Sequence, residues 1–299
     1  MFSLALVTDA ASLPIDYDMP PLLDACKEVG FVPEVVFWDD PAVTWSRFDA
    51  VLMRSPWTWV DRLPEFLARC EEISAETHLL SPMPLVRWAL DKRYLRDLAA
   101  HGVPVAPTAV VAPGEQPSTA LRDFLAVHPE AREFVIKPSN ACYSKDVQRY
   151  PRQNVDVAAE HIARLQDSGS HVILQPYIES VDREGEIDLT YFDGAYSHAI
   201  HKGAMLMPDG TVNVPTLEYR KARVADEDER AVAAAALEAS AATLGIEPPL
   251  LYGRIDLIRD RDGKPMVLEM ELCEPSLNLS FSEGSALRFA RALAERLKP

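Results

Sequence analysis

The sequence predicts a mixed α/β (α+β) fold of two or three domains, and three observations support this fold class. The first ninety residues alternate strand-like and helix-like patterns with short connections, which is typical of a small parallel sheet flanked by helices. Two later runs carry the dipeptides Asp193-Gly194 and Asp262-Gly263, which favour the tight turns of antiparallel hairpins. The chain of 299 residues is 48% hydrophobic and 25% charged, which is typical of a globular protein with a large core.

The first part of the chain supplies the elements of the parallel unit. Strands are predicted at 4–9, 32–38 and 49–55, and helices at 20–30, 63–76 and 84–102. The helix at 20–30 begins at two prolines and ends at Gly30, which are typical start and stop residues. The N-terminal run "MFSLALVTDA" lacks the basic start and long apolar segment of a signal peptide, so it is predicted to form the first strand.

The second part of the chain continues with further strands and helices. Helices are predicted at 118–127, 155–167 and 226–244 and from about residue 285, and strands at 133–138, 171–178, 251–259 and 265–273, with a hairpin at 185–203. The sequence shows no internal repeat and no low-complexity segment. The run "APGEQPS" at 112–118 is typical of a surface loop.

Charge and cysteine content limit the partners and the compartment. The formal net charge of −16 repels phosphate backbones and anionic lipids, so neither a nucleic acid nor a membrane is an expected partner. None of the four cysteines forms a CxxC pair, and their spacing fits neither a zinc site nor a disulfide scaffold. Free thiols in a reducing cytosol are the simplest interpretation, so we expect a cytoplasmic protein. No stretch is long and apolar enough to span a bilayer.

Acidic residues stand on a strand that otherwise looks buried, in the run "VLEMELCEPS" at 267–276. If Asp262 and Gly263 form a two-residue turn, opposed residues of this hairpin have numbers that sum to 525. Asp256 then lies opposite Glu269, and Arg254 lies opposite Glu271, all on one face of the hairpin. Opposed carboxylates are destabilising without a counter-charge.

A divalent cation would supply that counter-charge. Carboxylate oxygens with room for water and phosphate oxygens suit Mg²⁺, and a neighbouring arginine suits a transferred phosphoryl group or a developing oxyanion. The hairpin face therefore predicts a metal and phosphate site. The alternative is a solvated hairpin face with a surface salt bridge, and the sequence pattern leaves that alternative open.

The same hairpin resembles the metal-binding hairpin of the ATP-grasp ligases, a family that includes D-alanine–D-alanine ligases. In that family an Arg and an Asp on one strand face a Glu-x-Asn on the next, and Arg254, Asp256, Glu269 and Glu271 match those places. Glu271 replaces the usual asparagine and adds negative charge. The resemblance implies Asp256, Glu269 and Glu271 as metal ligands and Arg254 as a catalytic residue.

Other motifs follow in the family order between residues 92 and 276. The resemblance implies that Lys92 and Lys137 contact the nucleotide, that the hinge 175–178 receives adenine, and that Lys202 acts near the γ-phosphate as a second catalytic residue. The implied nucleotide-binding residues are Lys92, Lys137, Ser139, Ser144, Gln175, Tyr177, Ile178 and Glu186, with Glu186 near the ribose. The lid loop at 139–146 has no glycine, so its serines would supply side-chain hydrogen bonds to phosphate. For Lys92 a solvated basic helix face remains the alternative.

The resemblance also implies a domain plan and the reagents. Residues 1–90 would form a small Rossmann-like N-terminal domain, 91–103 a linking helix, 104–180 the lid subdomain, and 181–299 the C-terminal subdomain with the metal site. The N-terminal domain helps to close the acceptor site, and the implied substrate residues are Arg54, Ser55, Trp57, Ser276 and Asn278. The implied cofactors are ATP and Mg²⁺, with two ions expected and Mn²⁺ as an alternative. The expected partner is a small amino-acid-like substrate, and a homodimer is left open.

The resemblance implies an ATP-dependent carbon–nitrogen ligase that phosphorylates a substrate carboxylate and then joins the acyl phosphate to a nitrogen. Over its whole length the chain is similar to the ATP-grasp cyclo-ligases that close O-ureido-D-serine to D-cycloserine in antibiotic-producing bacteria. An intermolecular amino-acid ligase and a nucleotide-binding regulator without catalysis are the alternatives. The sequence contains no GxGxxG, GxxxxGK[ST], GxSxG or HExxH motif, so other nucleotide or hydrolase sites lack support.

Overall fold

The N-terminal sheet is parallel, as the alternating pattern predicts. The structure is a computed structural model that describes residues 2–207, 210–212 and 219–298. The elements of this part are β1 (Ser3–Thr8), α1 (Met19–Glu28), β2 (Val32–Phe37), β3 (Ala50–Ser55), α2 (Leu63–Glu76) and β4 (His78–Leu79). The strand order is β2-β1-β3-β4, and β1 is buried from Leu4 onward because apolar side chains cover both of its faces.

The predicted helix at 84–102 is wrong, because the structure has two short helices there, α3 (Met83–Ala89) and α4 (Tyr94–Ala100). The break at 90–93 has partners outside the helix. The Lys92 backbone N–H donates to the Ser139 carbonyl at 2.8 Å, and the Asn140 side-chain amide donates to the Leu90 carbonyl at 2.7 Å. These lid contacts satisfy the backbone groups that the break frees, and they tie α3 and α4 to the lid.

The lid sheet is antiparallel and has its own core. Its elements are β5 (Ala109–Val111), α5 (Pro117–Val127), β6 (Glu133–Pro138), β7 (Gln148–Pro151), α6 (Val155–Asp167) and β8 (Val172–Pro176). The strand order is β5-β8-β6-β7, and the sequence analysis missed the two edge strands, β5 and β7. Leu121 and Phe124 of α5 and Ile162 of α6 pack on Phe134 and Leu174 of the sheet.

The third sheet is antiparallel in the order β11-β10-β9-β12-β13. Its elements are α7 (Val181–Glu184), β9 (Glu186–Phe192), β10 (Ala195–Lys202), β11 (Arg220–Arg223), α8 (Glu227–Leu244), β12 (Tyr252–Arg259), β13 (Pro265–Glu271) and α9 (Ser285–Arg296). Helix α8 packs closely on one face through small side chains such as Ala233 and Ala236. At Gly253 a Cβ atom would meet the Leu272 side chain at 2.7 Å and the Leu237 side chain at 2.9 Å, so a larger residue there would force these leucines to shift.

The β12–β13 turn differs from the predicted two-residue turn. Arg259 lies opposite Pro265, so the opposed numbers near the turn sum to 524 and five residues form the loop. The register shifts between Asp256 and Leu257, and Leu268 is the residue skipped on β13. Because of this bulge, Asp256 still lies opposite Glu269, as predicted.

The bulge also exchanges two side chains between the faces of β13. Strict alternation along the strand would place Val267 on the same face as Glu269 and Glu271. In the structure Val267 is fully buried in the core with Met270 and Leu272, whereas Leu268 lines the cavity beside Glu269. One inserted residue reverses the alternation on one side of it, which a strict period of two cannot anticipate.

The predicted domain limits near residues 90, 103 and 180 fall between the three sheets, and they stay a prediction. Among the described residues, no helix combines the length and apolar character needed to cross a bilayer.

Candidate functional site

A cavity lies where the lid sheet, the third sheet and the N-terminal part meet. Most of the predicted site residues line it: Trp57, Lys92, Lys137, Ser144, Gln175, Tyr177, Ile178, Glu186, Lys202, Arg254, Asp256, Glu269, Glu271 and Ser276. The fold therefore gathers side chains that are up to 219 positions apart in the sequence (Trp57 and Ser276). Four predicted residues, Arg54, Ser55, Ser139 and Asn278, do not belong to this lining.

The acidic hairpin face has the predicted register. Asp256 lies opposite Glu269, and Arg254 lies opposite Glu271. The Arg254 guanidinium donates from Nε to Asp256 Oδ1 at 2.7 Å and from Nη2 to Asp256 Oδ2 at 2.8 Å. Burial opposes ionisation of Asp256, but the cations of Arg254 and Lys202 outweigh it and lower the Asp256 pKa to about 2. Asp256 is therefore a permanent carboxylate at the centre of the site.

A second acidic group surrounds the Lys202 ammonium. Lys202 Nζ lies 3.1 Å from Glu186 Oε2, 3.1 Å from Asp188 Oδ1 and 3.4 Å from Asp256 Oδ2. One oxygen from each carboxylate lies within 4.8 Å of the others, so these three residues could share a metal ion. Burial lowers and the three carboxylates raise the Lys202 pKa, and the net effect is a pKa above its usual value.

The sequence analysis missed Asp188 and placed Glu186 near the ribose. Asp188 lies directly opposite Asp256 on the neighbouring strand β9. The run "EIDLTYF" does contain a pattern that points to Asp188. Glu186 and Asp188 lie on one face of this strand, and Ile187 and Leu189 lie on the other. The pairing of β9 with β12 joins strands that a long stretch of chain separates, so it could not be inferred from local pattern.

The other two predicted metal ligands have cationic partners of their own. Glu269 Oε1 lies 2.8 Å from Lys92 Nζ, and Glu271 Oε1 lies 2.7 Å from Arg254 Nη2. Burial lowers and Glu269 raises the pKa of Lys92, which ends above its usual value. Burial also raises the pKa of Glu271 to about 8, although Arg254 opposes the shift. The alternative of a solvated basic helix face for Lys92 is wrong, because the side chain is buried.

Lys137 is a buried cation that keeps its charge available for a ligand. Its side chain is 5% exposed and lines the cavity. In the described part of the chain no carboxylate lies within ion-pair distance of it, in contrast to Lys92 and Lys202. Burial lowers the pKa of Lys137, because the ammonium loses water without gaining a paired anion. A bound anion such as a phosphate would supply the negative charge that Lys137 lacks as a partner.

The hinge between the lid and the third sheet forms one wall of the cavity. Gln175, Tyr177 and Ile178 line it, and Gln175 Nε2 donates to Thr108 Oγ1 at 2.9 Å. The Arg149 guanidinium lies 3.5 Å from the centre of the Tyr177 ring and fixes it. An apolar wall with few polar groups can receive a planar base.

The lid loop reaches the N-terminal part across the cavity. Tyr143 and Ser144 both have a φ of 52°, a left-handed conformation in which glycine is more usual. The Tyr143 ring lies 4.9 Å from the Trp57 ring, and Cys142 Sγ donates to the Trp57 carbonyl at 3.3 Å. Ser139 is fully buried and donates to its neighbour Asn140, so it lies behind the lining rather than in it.

Arg54, Ser55 and Asn278 are placed behind the cavity, in contrast to the predicted substrate contacts. Arg54 is 1% exposed, and its Nε donates to Asp16 Oδ2 at 3.1 Å. Ser55 donates to Thr8 Oγ1 at 2.8 Å. Asn278 Oδ1 accepts a hydrogen bond from Arg220 Nη1 at 2.6 Å. None of these three side chains belongs to the lining of the cavity.

The histidines near the site have structural partners. His198 Nε2 lies 2.8 Å from the Leu277 carbonyl, and His201 Nε2 lies 2.7 Å from the Glu184 carbonyl. Burial raises the pKa of Cys142, which does not favour a reactive thiolate.

The comparison with known sequences gives one close relative. Residues 4–81 match the family model described as the N-terminal domain of D-cycloserine synthetase DcsG. The curated protein "Cycloserine biosynthesis protein DcsG" of Streptomyces lavendulae is 72% identical over 296 residues, which cover 99% of this chain and 99% of that protein.

The comparison with solved structures extends this likeness to the fold. The crystal structure of D-cycloserine synthetase DcsG matches with a TM-score of 0.98 at 72% identity and covers 99% of this chain and 100% of the other. A D-alanine–D-alanine ligase from Bacillus anthracis complexed with ATP matches with a TM-score of 0.65 at 13% identity, over 99% and 97% of the two chains. The ATP-grasp ligase PsnB with its precursor peptide and AMPPNP matches with a TM-score of 0.60 at 18% identity, over 99% and 98%. These two show the fold alone, and they confirm the predicted ATP-grasp fold.

Proposed function

Since this chain belongs to the DcsG family of D-cycloserine synthetases, we propose that it closes O-ureido-D-serine to D-cycloserine at the expense of ATP. It is an ATP-dependent ligase of the ATP-grasp type. The observation that carries the proposal is the identity of 72% across the whole length, together with a cavity that gathers buried cations and carboxylates.

The nucleotide would lie between the lid and the third sheet. Its adenine would pack on the wall formed by Gln175, Tyr177 and Ile178, and its phosphates would lie near Lys92 and Lys137. Lys137 supports this placement because it is buried without a paired carboxylate in the part of the chain that the structure describes. Ser144 lines the cavity from the lid loop and would add a hydrogen bond to the phosphates.

The carboxylates fit a hard divalent cation, because they offer oxygen ligands in a group. Asp256 would hold Mg²⁺ with Glu186 and Asp188 from the neighbouring strand, or with Glu269 from the opposed one. Glu271 is the third predicted ligand, and its ion pair with Arg254 would have to loosen for it to bind metal. When bound, Mg²⁺ neutralises negative charge on the phosphate oxygens. The proposal includes two metal sites, and it includes Mn²⁺ as an ion that can replace Mg²⁺.

The side chains of this protein then have defined tasks in the reaction. The substrate carboxylate attacks the γ-phosphorus, which gives an acyl phosphate and ADP. Arg254 and Lys202 would balance the charge of the transferred group, and the lid would exclude water that hydrolyses the acyl phosphate.

Ring closure follows within one molecule. The ureido nitrogen that is bonded to oxygen attacks the acyl carbon, loses its proton, and expels phosphate. Hydrolysis of the carbamoyl group consumes one water and leaves carbon dioxide and ammonia, which completes D-cycloserine. Because nucleophile and electrophile belong to one substrate, the main task of the pocket is to fold that substrate into an attack geometry.

The test measures ADP release with O-ureido-D-serine as the single amino-acid substrate, and it identifies the product by mass. Formation of D-cycloserine with about one ADP per ring supports the proposal. The L-enantiomer and a mixture of free amino acids serve as controls. A requirement for a second amine would contradict cyclisation and would favour the intermolecular ligase. Trapping of a hydroxamate with hydroxylamine would identify the acyl phosphate.

A further inference from the structure

Glu274 is a buried carboxylate of the cavity that the roles above do not use. Its side chain is 6% exposed and lines the cavity. It follows β13 in the loop that leads to Ser276, whose carbonyl accepts a hydrogen bond from Arg254 Nη1 at 3.2 Å. Glu274 is therefore two residues from the carbonyl that contacts the Arg254 guanidinium. The substrate carboxylate would lie near this guanidinium, because it receives the phosphoryl group whose charge Arg254 would balance.

The other carboxylates of the cavity, which are buried or half-buried, have cationic partners. Lys202 forms ion pairs with Glu186 and Asp188 at 3.1 Å, and Lys92 forms one with Glu269 at 2.8 Å. Arg254 forms ion pairs with both Asp256 and Glu271 at 2.7 Å. Within residues 2–207, 210–212 and 219–298, Glu274 has no lysine or arginine at ion-pair distance. The remaining residues of the chain include no lysine, arginine or histidine.

Two tryptophans of the N-terminal part hold Glu274 in place. Trp59 Nε1 donates to Glu274 Oε1 at 2.6 Å, and Trp57 Nε1 donates to the Glu274 carbonyl at 2.9 Å. An indole N–H is a neutral donor, so it orients the carboxylate without balancing its charge. A buried carboxylate without a counter-charge is costly, and a cationic ligand would offset that cost.

We propose that Glu274 is the counter-ion for the α-ammonium group of the amino-acid substrate. This inference rests on the proposed function, because it takes an α-amino acid as the substrate. An α-amino acid carries its ammonium on the carbon next to the carboxylate, so a carboxylate held at Arg254 requires a cation site close by. Glu274 meets that requirement from the loop that also supplies the Ser276 carbonyl.

The ion pair would also determine stereochemistry. With the carboxylate at Arg254 and the ammonium at Glu274, two bonds of the α-carbon are fixed. The D- and L-enantiomers then point the ureido-bearing side chain in different directions. Only one enantiomer then places its oxygen-linked nitrogen over the acyl carbon. Glu274 is in this sense a specificity residue, whereas Trp57 and Trp59 are positioning residues that act through it.

The test compares O-ureido-D-serine with 3-(ureidooxy)propanoate, which lacks the amino group, in wild type and in Glu274→Gln. Glutamine keeps an acceptor for the Trp59 indole but removes the charge. We expect wild type to favour the amino substrate by about 10²-fold in kcat/KM, which is the usual effect of removing one partner of a buried charge pair. In Glu274→Gln most of that preference should disappear through a higher KM for the amino substrate, while the KM for ATP stays unchanged. Glu238→Gln, on an exposed position of α8, is the matched control and should keep the full preference.

The comparison has clear contrary outcomes. If Glu274→Gln keeps the preference, or if wild type uses both compounds equally well, the inference is overturned. The second result needs no variant, so it decides even if Glu274→Gln does not fold. Lack of ADP release from wild type with O-ureido-D-serine would instead overturn the proposed function, and the inference with it.

Discussion

Asp188 of β9 lies directly opposite Asp256 of β12, and the side chains are 2% and 3% exposed. Two buried carboxylates in opposed positions are destabilising unless a cation compensates them. Lys202 supplies one positive charge, at 3.1 Å from Asp188 and 3.4 Å from Asp256. Together with Glu186 the group keeps an excess of negative charge, which is the basis for a metal ion in this part of the site.

We expect Asp188→Asn to fold normally and to lose roughly 10²-fold or more in turnover, comparable to the loss of one preorganised electrostatic group. The variant removes one negative charge from the three carboxylates. It should therefore also need a higher Mg²⁺ concentration for half-maximal ADP release. Calorimetric titration of Mg²⁺ into the enzyme with a non-hydrolysable ATP analogue measures the same loss without turnover. Asp193→Asn, in the turn of the same hairpin, is the matched control. Unchanged Mg²⁺ dependence in Asp188→Asn would show that Asp188 is not a metal ligand.

A second prediction concerns Asp18, which connects helix α1 to the loop after β13. Its carboxylate accepts backbone N–H groups of Leu277 at 2.7 Å, Asn278 at 3.0 Å and Leu279 at 2.7 Å. Asp18→Ala should lower the free energy of unfolding by about 2–4 kcal/mol, because three buried donors lose a charged acceptor. It should also raise the KM for the amino-acid substrate, because the loop that carries Ser276 loses its anchor, while ATP binding stays the same.

The control for this variant is Asp24→Ala on helix α1, where the carboxylate is exposed and pairs with Lys27 at 3.5 Å. It should change stability by less than about 0.5 kcal/mol. Urea unfolding and steady-state kinetics on both variants check the prediction. An equal effect of Asp18→Ala on the KM values for ATP and for the amino acid would contradict a local anchoring role.

A third prediction concerns the pH dependence of lid stability. His161 of α6 is buried with Nδ1 at 3.0 Å from Tyr150 Oη, and its Nε2 has no hydrogen-bond partner among the described residues. Burial, aided by the charge of Arg164, lowers the His161 pKa from 6.5 to about 4. The folded state therefore prefers neutral His161, and the unfolded state binds the proton first as the pH falls. The stabilisation is complete above pH 6.5 and declines as the pH falls toward 4.

His161→Phe should flatten the fall in melting temperature between pH 7 and pH 5, because the group that titrates differently in the two states is gone. His78→Phe, at an exposed position, is the control and should keep the wild-type slope. Thermal unfolding at a series of pH values measures both. A wild-type slope in His161→Phe would show that carboxylates account for the acid sensitivity.

The hairpin shows how far the sequence determines the site. The opposed pairs Asp256–Glu269 and Arg254–Glu271 were predicted from a turn signal and a period of two, and they are confirmed. The predicted two-residue turn was nevertheless wrong, because the turn is longer than two residues. A bulge at Leu268 restores the register of the pairs. A bulge depends on contacts across the sheet, which local pattern does not contain.

The parts that sequence reasoning missed depend on contacts between distant segments. Asp188 joins the site through the pairing of β9 with β12, and Arg54 is diverted to Asp16 by packing within the N-terminal part. The broken helix at residues 90–93 has the same origin, since its partners come from the lid. The ordered motif set could be found in the sequence because each motif is local.

The last prediction concerns Arg254, whose guanidinium contacts Asp256 through two nitrogens, Glu271 at 2.7 Å and the Ser276 carbonyl at 3.2 Å. Arg254→Lys keeps the charge but loses the planar fork that spans these partners. We expect turnover to fall about 10²-fold or more, because the charges that Arg254 would stabilise develop after the substrate binds, while ATP affinity changes much less. Arg259→Lys, on the same strand but paired with Asp228 outside the cavity at 2.8 Å, is the matched control. Calorimetry for ATP and steady-state rates decide it: loss of ATP binding with normal turnover of the bound complex would make Arg254 a nucleotide clamp.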